Sequence, residues 1–457
     1  MKTRHLVCGL FLALGCATGH ATDMPGAKKE SEPEAKTAII KELDVSTAAD
    51  LVAAVGDGSV NRIVVSGDLT GLPQLRLSPD QTLVGSGPQA SVRFKEGSDG
   101  IQLSANNKVQ NLRLVATSNK RVVFNDTTVT DFGVLELGNL TMTGVVQLLA
   151  VDRVRAGRVE VHGIDIVSAD SRAYDVRPKG YGVEVVPGAF TLWNQQLDST
   201  VTITADLTGL SAGRPDAPVR GSGIFISGAS DTGGRLIVNR LETDAIYSNG
   251  GIVQGTADRI SGGVFTVHGA FVDIVRTRGP VTTYGPNDMV LDNWGVVDRW
   301  ISDERISSCG PSAIGFVNFG NINSLRINAP IETFGQGARG FNVYAGTVKS
   351  AEFDRIVTHG NGAVGIQIGR PVGEISVRRG VETFGGSGDS LVKGVMTKLS
   401  AVAFSIKPEG SVQRLKIAGG LITHGSGIAP LDLQGGVGSL QVKDGIMVSG
   451  GKDFSSQ

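Results

Sequence analysis

The sequence predicts an all-β fold, a right-handed parallel β-helix with coils of about 25 residues and a short N-terminal capping helix. Three observations predict this fold. Aliphatic residues recur every 25 residues, glycine recurs at a fixed place in each unit, and apolar and polar residues alternate within short segments. Such alternation is typical of strands, and a long fixed period is typical of stacked repeats.

The repeat is regular from residue 281 to residue 450. When each unit is counted from its first aliphatic residue, position 3 is usually threonine and position 5 is glycine. Positions 1 and 3 share a parity, so we expect both to face the interior, and positions 2 and 4 to face outward. Position 1 is occupied by Val281, Ile306, Ile331, Ile356, Val381, Leu421 and Ile446.

One step of the repeat is longer than the others. Val381 and Leu421 are 40 residues apart, which is one unit plus about 15 further residues, largely 390–402. The pattern does not indicate a role for this insertion. Residues 44–457 are otherwise predicted to form a single β-helix domain, because stacked units share one continuous core.

A short helix is predicted at residues 46–55, "STAADLVAAV". Thr47 and Asp50 resemble a capping box, and Leu51, Val52 and Val55 supply an apolar face. A stack of coils has an open apolar end, and we expect this helix to cover it.

The N-terminal segment predicts export. Residues 1–21 have a basic start, an apolar core and small residues before Ala21, the pattern of a cleaved signal peptide. Cys16 leaves a lipoprotein open as the less favoured alternative. Residues 22–43 are polar and charged, and predict a flexible linker. The expected location is outside the cell, in the periplasm or at the cell envelope.

Composition excludes several partners. The chain has 43 basic and 44 acidic residues, which disfavours nucleic acid as a partner because phosphate binding requires a basic excess. No later segment approaches the ~18 apolar residues of a membrane span. Cys309 is the single cysteine after the signal segment, so the mature chain can form no internal disulfide. A monomer is expected.

Four segments near the N-terminus resemble a known family. They are "STAADLVAAV" (46–55), "NRIVVSGDL" (61–69), "QTLVGSG" (81–87) and "NNKVQNLRLV" (106–115). Together they are similar to the opening of pectate-lyase-like β-helix proteins, the pectin lyase fold. This resemblance implies a polysaccharide lyase, hydrolase or epimerase, or a non-enzymatic surface protein. A lyase would use Ca²⁺ and a basic residue, but the family's Arg-x-Pro-x-x-Arg segment is absent; without lyase activity, no cofactor is expected.

The densest polar and aromatic cluster is "SRAYDVRPKGYG" at 171–182. Its charged residues could bind uronate carboxylates and its tyrosines could stack on sugar rings. The alternative is a solvated loop between coils. The weak catalytic candidates are Asp170, Arg172, Asp175, Arg177 and Lys179, and the binding candidates are Tyr174 and Tyr181.

Position 4 forms a stripe of mostly flat side chains. His359 and His424 are separated by the coil of Phe384, so their backbones lie about 9.6 Å apart and no metal site is predicted. Because the neighbours of His359 in this stripe are Phe334 and Phe384, we predict stacking rather than catalysis. The stripe comprises Tyr284, Cys309, Phe334, His359, Phe384, His424 and Ser449, of which Tyr284, Phe334, His359 and Phe384 are candidate ligand-binding residues.

A pair of carboxylates was also considered. Glu332 and Glu382 both occupy position 2, two coils apart, a separation loosely compatible with an inverting glycosidase. Solvated surface carboxylates are the simpler interpretation.

Two functions are compatible with these features. The first is a secreted protein that binds or modifies a polysaccharide, and if it is an enzyme, a polysaccharide lyase or glycoside hydrolase. The second is a non-enzymatic surface or envelope protein that interacts with a partner or mediates adhesion.

Overall fold

The computed structural model describes residues 41–449. The predicted signal peptide, the alternative lipid site at Cys16 and nearly all of the predicted linker therefore lie outside the described residues. Within them the fold prediction is confirmed, because the chain is a parallel β-helix with one short helix near its start. No helix in this part of the chain is long and apolar enough to cross a membrane.

Each regular coil contributes three strands. The first and third belong to sheet A, which has 25 strands, and the second belongs to sheet B, which has 15. The first strands are Val281–Thr283, Ile306–Ser308, Ile331–Thr333, Ile356–Thr358, Val381–Thr383, Leu421–Thr423 and Ile446–Val448. The second strands are Asp288–Asn293, Ile314–Asn318, Arg339–Val343, Val364–Ile368, Phe404–Ile406 and Leu431–Leu433. The third strands are Val296–Ser302, Asn321–Ile327, Thr347–Phe353, Pro371–Val377, Ser411–Ile417 and Gly436–Val442.

Upstream coils have the same two sheets with less regular strands. In sheet A these are Glu42–Val45, Arg62–Val65, Asp68–Leu72, Thr82–Gly85, Ser91–Phe94, Lys108–Val115, Asp131–Thr143, Ala156–Ser168, Thr202–Ala212, Val219–Arg220, Arg235–Asn249 and Ala270–Thr277. In sheet B they are Leu75–Arg76, Ile101–Leu103, Arg121–Asn125, Val145–Ala150, Lys179–Gly180, Val183–Val185, Gly188–Asn194, Ser222–Ser227 and Arg259–Thr266.

The register follows the predicted frame. Val281 pairs with Ile306, and the pairing continues at position 1 as far as Ile446, including the longer step from Val381 to Leu421. The hydroxyls at position 3 face the interior as predicted, since Thr333, for example, is fully buried. The repeated glycine at position 5 also has a packing reason. A Cβ at Gly335 would lie 1.8 Å from the carbonyl oxygen of Gly310 on the preceding coil.

The capping helix spans Ala48–Gly56, and Thr47 caps it by accepting a hydrogen bond from the Asp50 amide. Leu51 and Val55 are buried in the core at the end of the stack, as expected. The prediction for Val52 was wrong, because its side chain is 41% exposed and Ala54 occupies the buried face instead.

A polar ladder runs inside one corner of the rod. Thr266 donates to Asn293 (2.7 Å), and Asn293 donates to Asn318 (2.9 Å). Asn318 then donates to the carbonyl oxygens of Gly320 and Ala345. All three side chains are fully buried, so these bonds satisfy polar groups that have no access to solvent.

The insertion between Val381 and Leu421 is a β-hairpin. Its antiparallel strands, Ser387–Val392 and Val395–Ser400, pair only with each other. The hairpin lies against the outer side of sheet B: Leu391 N donates to Ser312 Oγ (2.9 Å), and Ser390 Oγ donates to the Gly337 carbonyl (2.7 Å). These contacts place the hairpin over coils that precede it in the sequence.

Candidate functional site

The stripe at position 4 contains a continuous stack of rings. The ring centroids of Phe334 and His359 are 4.7 Å apart, those of His359 and Phe384 5.2 Å, and those of Phe384 and His424 4.3 Å. Successive rings are within 11° of parallel. The predicted stacking is therefore present, and it covers both faces of His359 and Phe384.

Each histidine of the stack also bonds a glutamate, which the sequence reasoning missed. His359 Nε2 lies 3.0 Å from Glu332 Oε1, and His424 Nε2 lies 2.7 Å from Glu382 Oε1. The expectation that no carboxylate lies near His359 was wrong because the contact is diagonal. It joins position 4 of one coil to position 2 of the preceding coil, whereas only position 4 was compared.

Arginines complete both pairs. Arg305 is 3.5 Å from Glu332, and Arg355 contacts Glu382. Burial raises the pKa of Glu382, but the hydrogen bonds from His424 and Arg355 outweigh burial, so that its pKa is below the ordinary value. Both glutamates thus stabilise neighbouring cations, an arrangement that favours structural ion pairs over an acid–base pair. In residues 41–449 no group of three or more His, Cys, Asp or Glu side chains is placed to hold a metal ion.

Tyr284 and Cys309 continue the stripe toward the N-terminus. Tyr284 is half-buried, and its hydroxyl donates to the Pro215 carbonyl (2.9 Å). Cys309 is a free, exposed cysteine.

The charged candidates in the 170–182 loop are mostly paired with their neighbours. Arg172 Nη2 is 2.7 Å from Asp170, and Lys179 Nζ is 2.7 Å from Glu184. Arg177 also approaches Glu184 (3.8 Å) and donates to the Arg172 carbonyl. Asp175 is exposed. The loop therefore has local ion pairs and does not bring these candidates together around one vacant position.

The two tyrosines of the loop have different surroundings. Tyr174 packs against the main core, and burial raises its pKa to about 12. Tyr181 and Gly182, both at positive φ, form the two-residue turn between Lys179–Gly180 and Val183–Val185. This turn places the Tyr181 ring on the outer side of sheet B.

Tyr181 joins a second aromatic row, which we call the sheet B aromatic row: Trp294, Phe319 and Tyr344, one on each of three successive coils. Phe319 stacks on Tyr344 with a centroid distance of 5.1 Å, and Tyr181 stacks on Phe319 at 4.4 Å. Trp294 meets both Tyr181 and Phe319 edge to face. The row was not predicted, although its three members are spaced by 25 residues and the spacing alone could have revealed it.

Recesses lie beside this row. The aromatic recess, with an empty volume of about 530 Å³, lies between the Tyr181 turn and the hairpin, and is lined by Met289, Ile314, Phe319, Tyr344 and Leu391, among others. The cationic groove, with an empty volume of about 970 Å³, lies on the other side of the hairpin. Tyr344 and Lys393 line both, and Gln367, Arg370 and Lys407 line the groove alone.

Several buried polar groups lie on this face of sheet B without hydrogen-bond partners. They include both carboxylate oxygens of Asp292, both amide atoms of Asn342, and Nε and Nη1 of Arg339. All three side chains are fully buried. Burial raises the pKa of Asp292 well above its usual range, opposed only by the nearby indole of Trp294. Buried polar atoms without partners are uncommon and often mark functional positions.

Comparisons with protein-family models, with curated proteins and with solved structures found no match. The similarity to pectate-lyase-like proteins therefore stays a prediction based on residues 46–115.

Proposed function

We propose that this protein binds a saccharide chain on the outer face of sheet B and does not cleave it. The observation on which this rests is the sheet B aromatic row between two recesses. Ligand sites are typically concave and lined by aromatic and apolar side chains with a few polar groups. Asn287 in the aromatic recess and Gln367 in the cationic groove are such polar groups.

The ring stack at position 4 is a poorer candidate. A sugar packs against the face of an aromatic ring, and the faces of His359 and Phe384 are covered by their neighbours. Phe334 and Phe384 are 46% and 43% exposed. In the stack, that exposure belongs largely to ring edges. The similarity of residues 46–115 to pectate-lyase-like proteins adds support for a saccharide, by analogy alone.

The charged groups favour binding over catalysis. Arg172, Lys179 and Glu382 are each held by an ion pair, so none is free to exchange protons with a ligand without breaking that pair. The wide groove near Gly85 and Asn111 is lined by no aromatic or acidic side chain.

Affinity electrophoresis against a panel of soluble acidic and neutral polysaccharides tests the proposal. We expect at least one to retard the protein, and the double variant Phe319→Ala/Tyr344→Ala to bind at least about tenfold more weakly, a loss of about 1.4 kcal/mol. The matched control, Phe334→Ala/Phe384→Ala, also removes two part-exposed rings and should bind normally. Equal loss in both variants, or no retardation by any polymer, would overturn the proposal.

The same panel tests the absence of cleavage. Incubation with and without Ca²⁺, followed by assays for unsaturated products and new reducing ends, should yield no product. Product that disappears in a Phe319→Ala/Tyr344→Ala variant would instead show an enzyme acting at this face.

A specific observation favours the alternative, a non-enzymatic interaction protein. Val395 and Met396, just after the turn of the hairpin, are 64% and 55% exposed. Exposed apolar residues at a loop tip are typical of contacts with another protein.

A further inference from the structure

Arg339 is the most anomalous residue in the described part of the chain. Its side chain is fully buried, and its one hydrogen bond joins Nη2 to Ser390 Oγ at 2.9 Å. Nε and Nη1 have no partner. Guanidinium groups stay charged in proteins, and a buried charge without a counter-ion costs several kcal/mol.

The repeat indicates that packing does not require an arginine here. Arg339 pairs in register with Ile314 on one side and Val364 on the other, and both aliphatic side chains are buried. An aliphatic residue therefore fits the same position on adjacent coils. The charge at Arg339 consequently requires another explanation than the filling of space.

A second polar side chain lies close by on the same strand. Asn342 is fully buried, and neither its oxygen nor its nitrogen has a partner. Its register partners are Val317, which lines the aromatic recess, and Gln367, which lines the cationic groove. Arg339 and Asn342 thus lie between the two spaces, beneath the hairpin.

The hairpin is well suited to moving away from this position. Its strands make ladder hydrogen bonds only to each other, and Phe404 continues the stack by pairing with Ile366 whether or not the hairpin is in place. Its contacts with earlier coils are the few bonds of Ser390, Leu391 and Asp389 to Gly337, Ser312 and Gln336. Breaking them exposes Arg339 without breaking the rod.

Charge around the hairpin favours an anion. Lys393, whose ammonium is 5.5 Å from the ring centroid of Tyr344, and Lys398 have no ion-pair partner within residues 41–449. Arg370 and Lys407 are paired, with Glu409 and Asp432 respectively. The one acidic residue of the hairpin, Asp389, is exposed and lies opposite Lys398.

We propose that the hairpin is a lid, and that its opening admits a carboxylate group of the ligand to Arg339, with Asn342 as a second polar contact. This inference rests on the proposed saccharide binding and specifies that the saccharide contains sugar acids. Arginine suits the task because its planar donors match the two oxygens of a carboxylate. A free sugar acid has the same chemistry as one within a chain, so the experiment separates the two.

The first test compares binding of alginate, its neutral propylene glycol ester and monomeric glucuronate to the whole protein. Preference for alginate over the ester by about tenfold or more supports the inference. Equal binding of both polymers would overturn it and leave the proposed function intact. No binding of any polymer would overturn the proposed function. Glucuronate binding without polymer binding would assign the Arg339 position to a free sugar acid.

Arg339→Met supplies the second test. We expect alginate affinity to fall at least about tenfold while thermal stability stays equal or rises, because an uncompensated buried charge has been replaced by an apolar chain. A lower melting temperature with unchanged alginate affinity would show that Arg339 only anchors the hairpin. Ser390→Ala removes the anchor and retains the guanidinium, so it should bind alginate at least as tightly as the native chain.

A locked lid supplies the third test. Ser312→Cys and Leu391→Cys, in a Cys309→Ser background, place two thiols where the Leu391 amide and Ser312 hydroxyl now bond. Oxidation should abolish alginate binding and reduction should restore it in the same sample. Undiminished binding by the fully oxidised protein would exclude opening of the hairpin.

Discussion

The Nε2 atom of His359 lies 3.0 Å from Oε1 of Glu332 on the preceding coil, while the imidazole ring lies parallel to Phe334 within 3°. His424 repeats both relationships with Glu382 and Phe384. One side chain therefore makes a polar contact at its tip and apolar contacts on its faces. This combination explains why histidines alternate with phenylalanines in an exposed stripe, without any catalytic role.

The ring faces should contribute more stability than the His–Glu bond. His359→Ala loses two stacked contacts and one hydrogen bond, and we expect it to lower the free energy of unfolding by about 1 to 2 kcal/mol. His359→Phe retains the stacking and should lose less than half as much. Urea unfolding followed by circular dichroism measures both. Equal losses would show that Glu332, rather than the stack, is the partner that matters.

Glu382 should stabilise the fold at neutral pH and lose its effect in acid. Its pKa is lowered in the folded chain by His424 and Arg355, despite burial. A lowered carboxyl pKa contributes stability above the unfolded value, and the contribution disappears as pH falls through the folded value. Melting temperatures of the native chain and Glu382→Gln should therefore differ most at pH 7 and converge toward pH 3. A gap that is constant across this range would contradict the assignment.

Asp292 should show the opposite sign. Burial raises its pKa well above the usual range, so its ionisation opposes folding once the pH exceeds the ordinary value for aspartate. Asp292→Asn has no ionisation to suppress. Relative to the native chain, we expect the variant to gain stability as pH rises from 4 to 8, as measured by thermal unfolding across that series. If the native chain gains on the variant instead, the carboxylate has a cation partner in solution.

The hairpin should be dispensable for the β-helix. Ala401 N bonds the Gly386 carbonyl, so the two ends of the hairpin already meet, and joining Gly386 directly to Ala401 restores the regular step. We expect this deletion to retain the far-ultraviolet circular dichroism of the native chain, with a modest loss of stability because Leu399 packs against Val364 and Val402. Loss of cooperative unfolding would show that the hairpin is part of the fold.

The sequence predicted what depends on periodicity. Inward and outward faces, the threonines of position 3 and the ring stack all follow from a 25-residue frame, because in-register stacking places equal positions beside each other. Contacts between unequal positions did not follow. The diagonal bond of His359 to Glu332 needs the offset between coils. The contact of Ser390 with Arg339 needs the fold of an insertion, which no repeat encodes.

The internal asparagine ladder gives the sharpest test of the interior. Asn318→Ala removes an acceptor from Asn293 and two donor bonds to the carbonyls of Gly320 and Ala345, all in a fully buried corner. Leaving several buried groups without partners should cost about 2 to 4 kcal/mol, since each such group costs roughly 1 to 3 kcal/mol. Asn323→Ala is the matched control, because Asn323 also bonds a neighbouring coil, at Asp298 (2.8 Å), but in an exposed position. We expect the control to lose less than about 0.5 kcal/mol in urea unfolding. Similar losses in the two variants would mean that water enters the corner and replaces the missing bonds.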